Sequence, residues 1–421
     1  MLAKIMISHL VAGALALTAG GARTAPPRMS ASAAGLLMSP ESAGIRRQLA
    51  NAGAPVPIGA VEAPDQGWWD GTQLGSCVVR RFTDEMRGDR WMMWYTARPS
   101  DLTPGVMPVA TGAIGLAQST DGITWERLAG DGPAGECFGP NDEDWWTFDT
   151  THVGLGDVHV MSNQVVKNSL GLYWMYYFGG DANDYEMTPG APPVVGAATS
   201  IGVALSNDGV HWGRVEGEHS SGAVLEPTDD QLFVGWPQCV QMSSEPDLWH
   251  MYYHAFDKKS ESFSIGVATS SNCVNWKPRD GYCLEPSKDA AAFDAGGVSA
   301  RCVIADPALP RSSPEGPKAG GWLMFYEAQD AEKRHTIGLA RSTDGLEWRR
   351  DSQTPVLEPS AIDGSWDEVA VSRPWVVPMD DGSARIYYIG RGANGEQAIG
   401  MAQSDGKDWS KFTRIAPVTT K

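Results

Sequence analysis

The sequence predicts an all-β protein, a five-bladed β-propeller of four-stranded blades, on two observations. Five copies of one motif run through the chain: IGLAQSTDGITW (114–125), IGVALSNDGVHW (201–212), IGVATSSNCVNW (265–276), IGLARSTDGLEW (337–348) and IGMAQSDGKDW (399–409). They recur every 60 to 90 residues or so, a spacing that calls for repeated structural units in place of isolated motifs. The 421 residues also carry 48 glycines, 28 prolines and 17 tryptophans, the usage of many short strands joined by tight turns.

Each expected blade is read in the same order. A smaller apolar strand comes first, glycine-bearing in three of the five: LGSCVV (74–79), LGDVHV (155–160), VGWPQCV (234–240), VSARCVI (298–304) and VSRPWVV (371–377). Its small residues suit the crowded axis where blades converge. An aromatic strand follows, as in WMMWYTAR (91–98), YWMYYFGGD (173–181) and ARIYYIGRG (384–392). The Ile-Gly-x-Ala-x-Ser run of the motif is the third strand, and its Asp-Gly supplies the positive φ of a tight turn. The tryptophan then opens the fourth. Because these turns and the Tyr176-Tyr177, Tyr252-Tyr253 and Tyr387-Tyr388 pairs recur at one register, they read as architecture. Two segments compete to close the last blade, residues 53–62 and FTRIAPV (412–418).

Ahead of the propeller domain (53–421), residues 1–22 have a charged start at Lys4, an apolar run and a small-residue exit, the pattern of a signal peptide. Residues 23–52 are rich in Ala, Ser, Pro and Arg and nearly free of acids, like a transit peptide. Together they predict a plastid address, with secretion as the alternative. No later apolar run approaches the length of a membrane span. A net charge of −18 disfavours nucleic acid, which needs a basic surface. Of the six cysteines, Cys77, Cys239 and Cys302 sit in apolar runs and read as buried thiols. Cys273 and Cys283 flank one expected strand, where pairing would require an oxidising compartment. With no CxxC pair and no compact ligand spacing, neither a metal nor a cofactor is expected; His152, Asp157 and His159 are the nearest approach to a metal set.

Function must come from what differs between blades. Aligning the first strands, with Ser299 and Ser372 where the other three have a glycine, places Ser76, Asp157, Trp236, Ala300 and Arg373 at one register, with His159 and Arg301 beside them. Loops upstream add Asp70 and Asp149, and the ends of the second strands add Arg98, His254, Glu327 and Arg391. Such a set suits a sugar, whose hydroxyls bond carboxylates and arginines while its ring faces an aromatic. Apolar flanks predict that Asp157 is buried, and a buried carboxylate needs a partner. His159, Arg301 and Arg373 are the candidates.

Over about residues 65–416 this pattern resembles the five-bladed superfamily of arabinanases, levansucrases and invertases, including glycoside hydrolase family 43. The resemblance implies an Asp nucleophile or base on blade one, a second Asp on blade two and a Glu general acid on blade three. Gly156-Asp157-Val158 matches the second, but Ser76 and Gly235 stand at the other two positions. The implied function is a glycoside hydrolase-like propeller acting on or binding a carbohydrate at the channel mouth. Asp157 would steady the developing charge, and Asp70, Asp149 or Glu327 would act as acid or nucleophile. Trp236, His159, His254, Arg301, Arg373 and Arg391 would hold the sugar. The alternative is a non-catalytic glycan-binding or protein-docking propeller.

Overall fold

The computed structural model describes residues 58–59, 69–70, 73–83, 88–98, 105–107, 112–132, 135–161, 172–186, 190, 192–242, 248–308 and 321–415. The expected signal (1–22) and transit (23–52) segments lie outside them. The protein is all-β, with no helix among the described residues, and so no helix there is long and apolar enough to cross a membrane.

Strands follow one another in five antiparallel runs of four. Unit one comprises Gln73–Phe82, Arg90–Arg98, Ala113–Ser119 and Trp125–Leu128. The first strands of the next four units are His152–Met161, Gln231–Gln241, Gly297–Ala305 and Ala370–Pro378. Units two and three are separate four-stranded sheets; one, four and five join through single parallel pairings, Gln73 with Gln397 and His335 with Ala370. The second strands read as near-continuous apolar runs because both their faces are covered; in Arg90–Arg98 every residue after the first is buried. Asp408–Arg414 completes unit five, while Ile58–Gly59 pairs with the fourth strand of unit one. The segment expected to compete for the fifth blade therefore belongs, in its described part, to the first.

The repeated motif does its work between units. In unit two Ser206 Oγ and Asp208 Oδ1 accept from the turn amides, and Gly209 takes a φ of 81°. The carbonyl of that glycine, which is buried, accepts from Trp94 Nε1 of unit one at 2.8 Å. Tyr176 likewise donates to Cys273 O of unit three (2.9 Å), Tyr252 to Gly345 O of unit four (2.7 Å) and Tyr387 to Gly122 O of unit one (2.7 Å). Phe325 of unit four has no hydroxyl and meets Phe412 of unit five edge-on at 5.8 Å. Cys273 occupies the glycine's place with φ at 66°, a left-handed conformation that L-residues visit rarely. All six cysteines are free thiols, so Cys273 and Cys283 are not paired.

The second tyrosine of each pair serves its own unit. Asp70 Oδ2 accepts from Tyr95 Oη (2.8 Å) and Arg127 Nε (2.6 Å), tying the start of the first strand to the fourth. Asp149 does the same with Tyr177 and Arg214, Asp294 with Tyr326 and Arg350, and Asp367 with Tyr388 and Arg414. Unit three departs from the pattern: Pro278 pairs with Ala268 where Arg350 pairs with Ala340, and Asp229 and Asp230 are exposed.

The first strands are tied to one another by a single row of residues. Val78, Asp157, Gln238, Cys302 and Trp375 all pair with the same position of their second strands, namely Trp94, Tyr176, Tyr252, Phe325 and Tyr387. From units one to two, Arg80 Nη2 donates to Asp157 Oδ1 (2.8 Å) and its Nε to Val158 O (2.7 Å). From two to three, Cys239 N donates to Asp157 Oδ2 (3.1 Å). Gln238 exchanges two bonds with the Val303 backbone, Val376 N donates to Cys302 Sγ, and Trp375 Nε1 donates to Val79 O at 2.9 Å. The links thus run from each unit to the next and from five back to one.

Asp157 is fully buried and Arg80 about one-third exposed, so removing one partner strands a charge inside the protein. Asp157→Asn is expected to cost on the order of 3 kcal/mol, discounted from the fully buried case because Arg80 meets solvent. Chemical denaturation measures it; a change within 0.5 kcal/mol or so of zero, as at an ordinary surface site, would contradict the structural role.

Candidate functional site

The row that contains Asp157 corrects the glycine-based alignment. A β-bulge interrupts each first strand, and in every unit the row lies four positions beyond one common register, that of Leu74, Val153, Val234, Val298 and Val371, so Gly154 is the counterpart of Gly75 and Gly235. Gly156 is therefore no counterpart of Gly75 or Gly235. The residue of unit two at the register of Ser76, Trp236, Ala300 and Arg373 is Leu155. Asp157 lies one pleat further along, roughly 7 Å away. Its partner is Arg80, which was not among the three candidates named for it. Burial pushes the Asp157 carboxyl up, with Arg80 opposing.

The other expected carboxylates separate as well. Asp70 and Asp149 do not bend toward the first-strand ends; each is committed to the tyrosine and arginine of its own unit, because the arginine offers the buried carboxylate a counter-charge. His152, Asp157 and His159 do not converge. His152 Nε2 bonds Gly196 O at 2.9 Å, and the His159 ring meets Trp249 edge-on at 4.9 Å. Burial, then Arg80, holds the His159 pKa down to about 3. Among the described residues no three His, Cys, Asp or Glu side chains group as a metal set.

Glu327, Trp236, His254 and Arg373 do come together, and Arg391 is electrostatically coupled to them. Glu327 and Gln329 lie two apart on one strand, and His335 pairs with Gln329 across the hairpin, so the three side chains share a face. Glu327 Oε1 is 2.7 Å from His335 Nδ1, and Oε2 accepts from Arg373 N at 3.2 Å. Gln329 Nε2 lies 3.0 Å from His335 Nε2. In a neutral ring this arrangement puts the proton on Nδ1, donating to the carboxylate. Burial raises the Glu327 pKa, but the hydrogen bond and charge of His335, then Arg373 and His254, outweigh it and hold the group at about 2. Glu327 is an ionised carboxylate.

Trp236 carries three neighbours on its ring: Phe178 at 4.1 Å, His254 at 4.6 Å and the Arg373 guanidinium at 5.2 Å. It is thus a support that fixes His254 and Arg373. Arg301 Nη2 donates to Trp236 O from behind, and burial lowers its pKa to about 9. Trp236 and Arg373 each sit inside a bulge with φ of 48° and 50°, and these are the two non-glycine residues with positive φ inside described strands. Such backbone costs about 1–3 kcal/mol per residue and gathers at functional sites.

One lateral row of backbone pairings runs from Gln329 and His335 through Ala370, Arg391, Gln397 and Gln73 to Arg98. It carries the cluster across units four, five and one. Sequence reasoning missed His335, Gln329 and Phe178. The signal for His335 was its place in the third strand, two residues before Ile337, where unit one has Gly112 and unit two Thr199.

Because the folded pKa of Glu327 lies below its ordinary value of 4.5, its contribution to stability is complete above about pH 4.5 and is lost as pH falls toward about 2. Wild type is expected to melt above Glu327→Gln at pH 7, with the gap closing over that window. Thermal melts measure it, and a gap that stays constant down to pH 2 would refute the assignment.

No family model matches the chain, and no curated protein does. Solved structures do. A glycoside hydrolase superimposes with a TM-score of 0.54 at 17% identity, over 88% of this chain and 96% of its own. A thermostable family-43 glycoside hydrolase gives 0.51 at 14%, over 84% and 98%. An N-acetylgalactosamine deacetylase from F. plautii, in complex with blood group B trisaccharide, gives 0.52 at 16%, over 84% and 94%. At these identities the likeness is one of architecture, and the chain has the all-β fold of these glycoside hydrolases.

Proposed function

We propose that the five runs of strands are the blades of a closed five-bladed propeller, and that its mouth binds a carbohydrate without cleaving it by the two-carboxylate route. The inter-unit links that return from unit five to unit one support the closed ring. Structural likeness to glycoside hydrolases, and to a deacetylase solved with a trisaccharide, supports a sugar as the ligand.

The observation that carries the non-cleaving part is the isolation of Glu327. Glycoside hydrolysis needs two carboxyl groups flanking the bond, one protonated and one ionised. Glu327 is held ionised by His335. Of the three places at which the resemblance implies an acid, Ser76 and Gly235 hold no carboxylate. Asp157 is engaged by Arg80 and Cys239, and Asp70 and Asp149 by arginines of their own units. In this reading Glu327 accepts from sugar hydroxyls, Arg373, Arg391 and His254 surround the ring, Trp236 supports them, and Asp157, Asp70 and Asp149 hold the frame.

Titration calorimetry against an oligosaccharide panel, run beside a hydrolysis assay on the same sugars, tests this. Binding without turnover is expected. Glu327→Gln should weaken it about tenfold to thirtyfold, the loss of a hydrogen bond to a charged group. Hydrolysis by wild type that disappears in Glu327→Gln would overturn the non-cleaving reading.

A further inference from the structure

Most half-buried arginines of this protein face a carboxylate. Arg80 has Asp157, Arg127 has Asp70, Arg214 has Asp149, Arg350 has Asp294 and Arg414 has Asp367. The mouth breaks that pattern. Arg98 directs Nε and Nη2 to the neutral amide oxygen of Gln73, at 2.9 and 2.5 Å. The Arg373 guanidinium lies over the Trp236 ring. Among the described residues, neither it nor the Arg391 guanidinium donates to a carboxylate or a carbonyl.

Glu327 is the carboxylate that shares this place, and its two oxygens are already taken by His335 Nδ1 and Arg373 N. Arg98 and Arg391 sit in one lateral row, linked through Gln73 and Gln397. Repulsion registers on the groups themselves. Burial and then Arg373 lower the Arg98 pKa to about 10, and burial followed by the pull of Glu327 against the push of Arg391 leaves Arg373 lowered. An uncompensated cation out of water is costly unless something anionic arrives. In a chain with net charge −18, acids are abundant, so their shortage here is local to the mouth.

We propose that the mouth recognises an acidic sugar, a glycan whose ring carries an oxyanion such as a carboxylate or a sulfate, seated against Arg373, Arg391 and Arg98. This rests on the carbohydrate-binding reading and names the class of sugar. Guanidinium groups with free N–H donors take oxyanions in bidentate fashion, and Arg373 already stands on an aromatic that orients it. Glu327 remains available to a ring hydroxyl through its remaining lone pairs, which sets the ring apart from a bare anion.

The test is titration calorimetry of the full chain with four probes: a uronic-acid oligosaccharide, a sulfated one, a neutral one of equal length, and inorganic phosphate. At least one acidic sugar should bind thirtyfold or more tightly than the neutral one, with affinity falling as salt rises. Arg391→Gln, at the half-buried rim, should cost the acidic sugar about tenfold more affinity than it costs the neutral one, with the protein still folded by its thermal melt. Arg373→Gln should lose at least as much. Equal affinity for acidic and neutral sugars would overturn the charge assignment and leave the carbohydrate reading intact. Phosphate binding as tightly as any sugar would overturn it in favour of a free-anion site. Folded protein that binds none of the four would overturn both readings.

Discussion

The structure depends on the belt that joins the five first strands, and on its one ion pair in particular. Val78, Gln238, Cys302 and Trp375 occupy four places of the belt with neutral side chains; Asp157 is its charged member. Its carboxylate reaches both neighbours at once, through Arg80 on one side and the Cys239 amide on the other. A carboxylate at a strand crossing can bridge two units with bonds that a valine such as Val78 has no polar atom to make. The same burial that makes this bridge effective makes it intolerant of losing a partner, since the remaining charge has no water to turn to.

Fixing the frame at the belt leaves the register two residues earlier on each first strand free to vary. There the side chains are Ser76, Leu155, Trp236, Ala300 and Arg373, unlike one another and unlike the belt. Trp236 and Arg373 are pushed into this space by bulges that turn their backbones left-handed, each immediately before a proline. The tightly linked sheet underneath is what sustains such unfavourable backbone. Glu327 and His335 reach the same space from a hairpin of unit four, locked by their mutual bond. Preorganisation of this kind favours binding, because little side-chain freedom is left to lose when a ligand arrives.

Much of the fold was legible because it repeats. Five motif copies gave the units, their aromatic strands gave the covered second strands, and the twin tyrosines proved to have two distinct duties, one to the next unit and one to their own. The site was only half legible. Trp236, His254, Glu327, Arg373 and Arg391 were visible as unlike residues at strand ends. Asp157 was misplaced because glycine was taken as the register mark. Unit two has two glycines, and it is Gly154, not Gly156, that shares the register of Gly75 and Gly235; Gly156 fills a place where its neighbour Pro237 leaves no room for a side chain. The arginine partners of Asp70 and Asp149 lie 57 and 65 residues downstream, at a separation no local pattern reports. His335 stands two residues ahead of a motif whose regularity begins only at Ile337.

A crystal structure with a bound oligosaccharide would show whether frame and proposed mouth are separate. The sugar is expected in contact with Glu327, Arg373 and Arg391, above Trp236, with no atom touching the Asp157 carboxylate. A ligand seated deeper, with the Asp157–Arg80 pair opened and the carboxylate on the sugar, would contradict that separation.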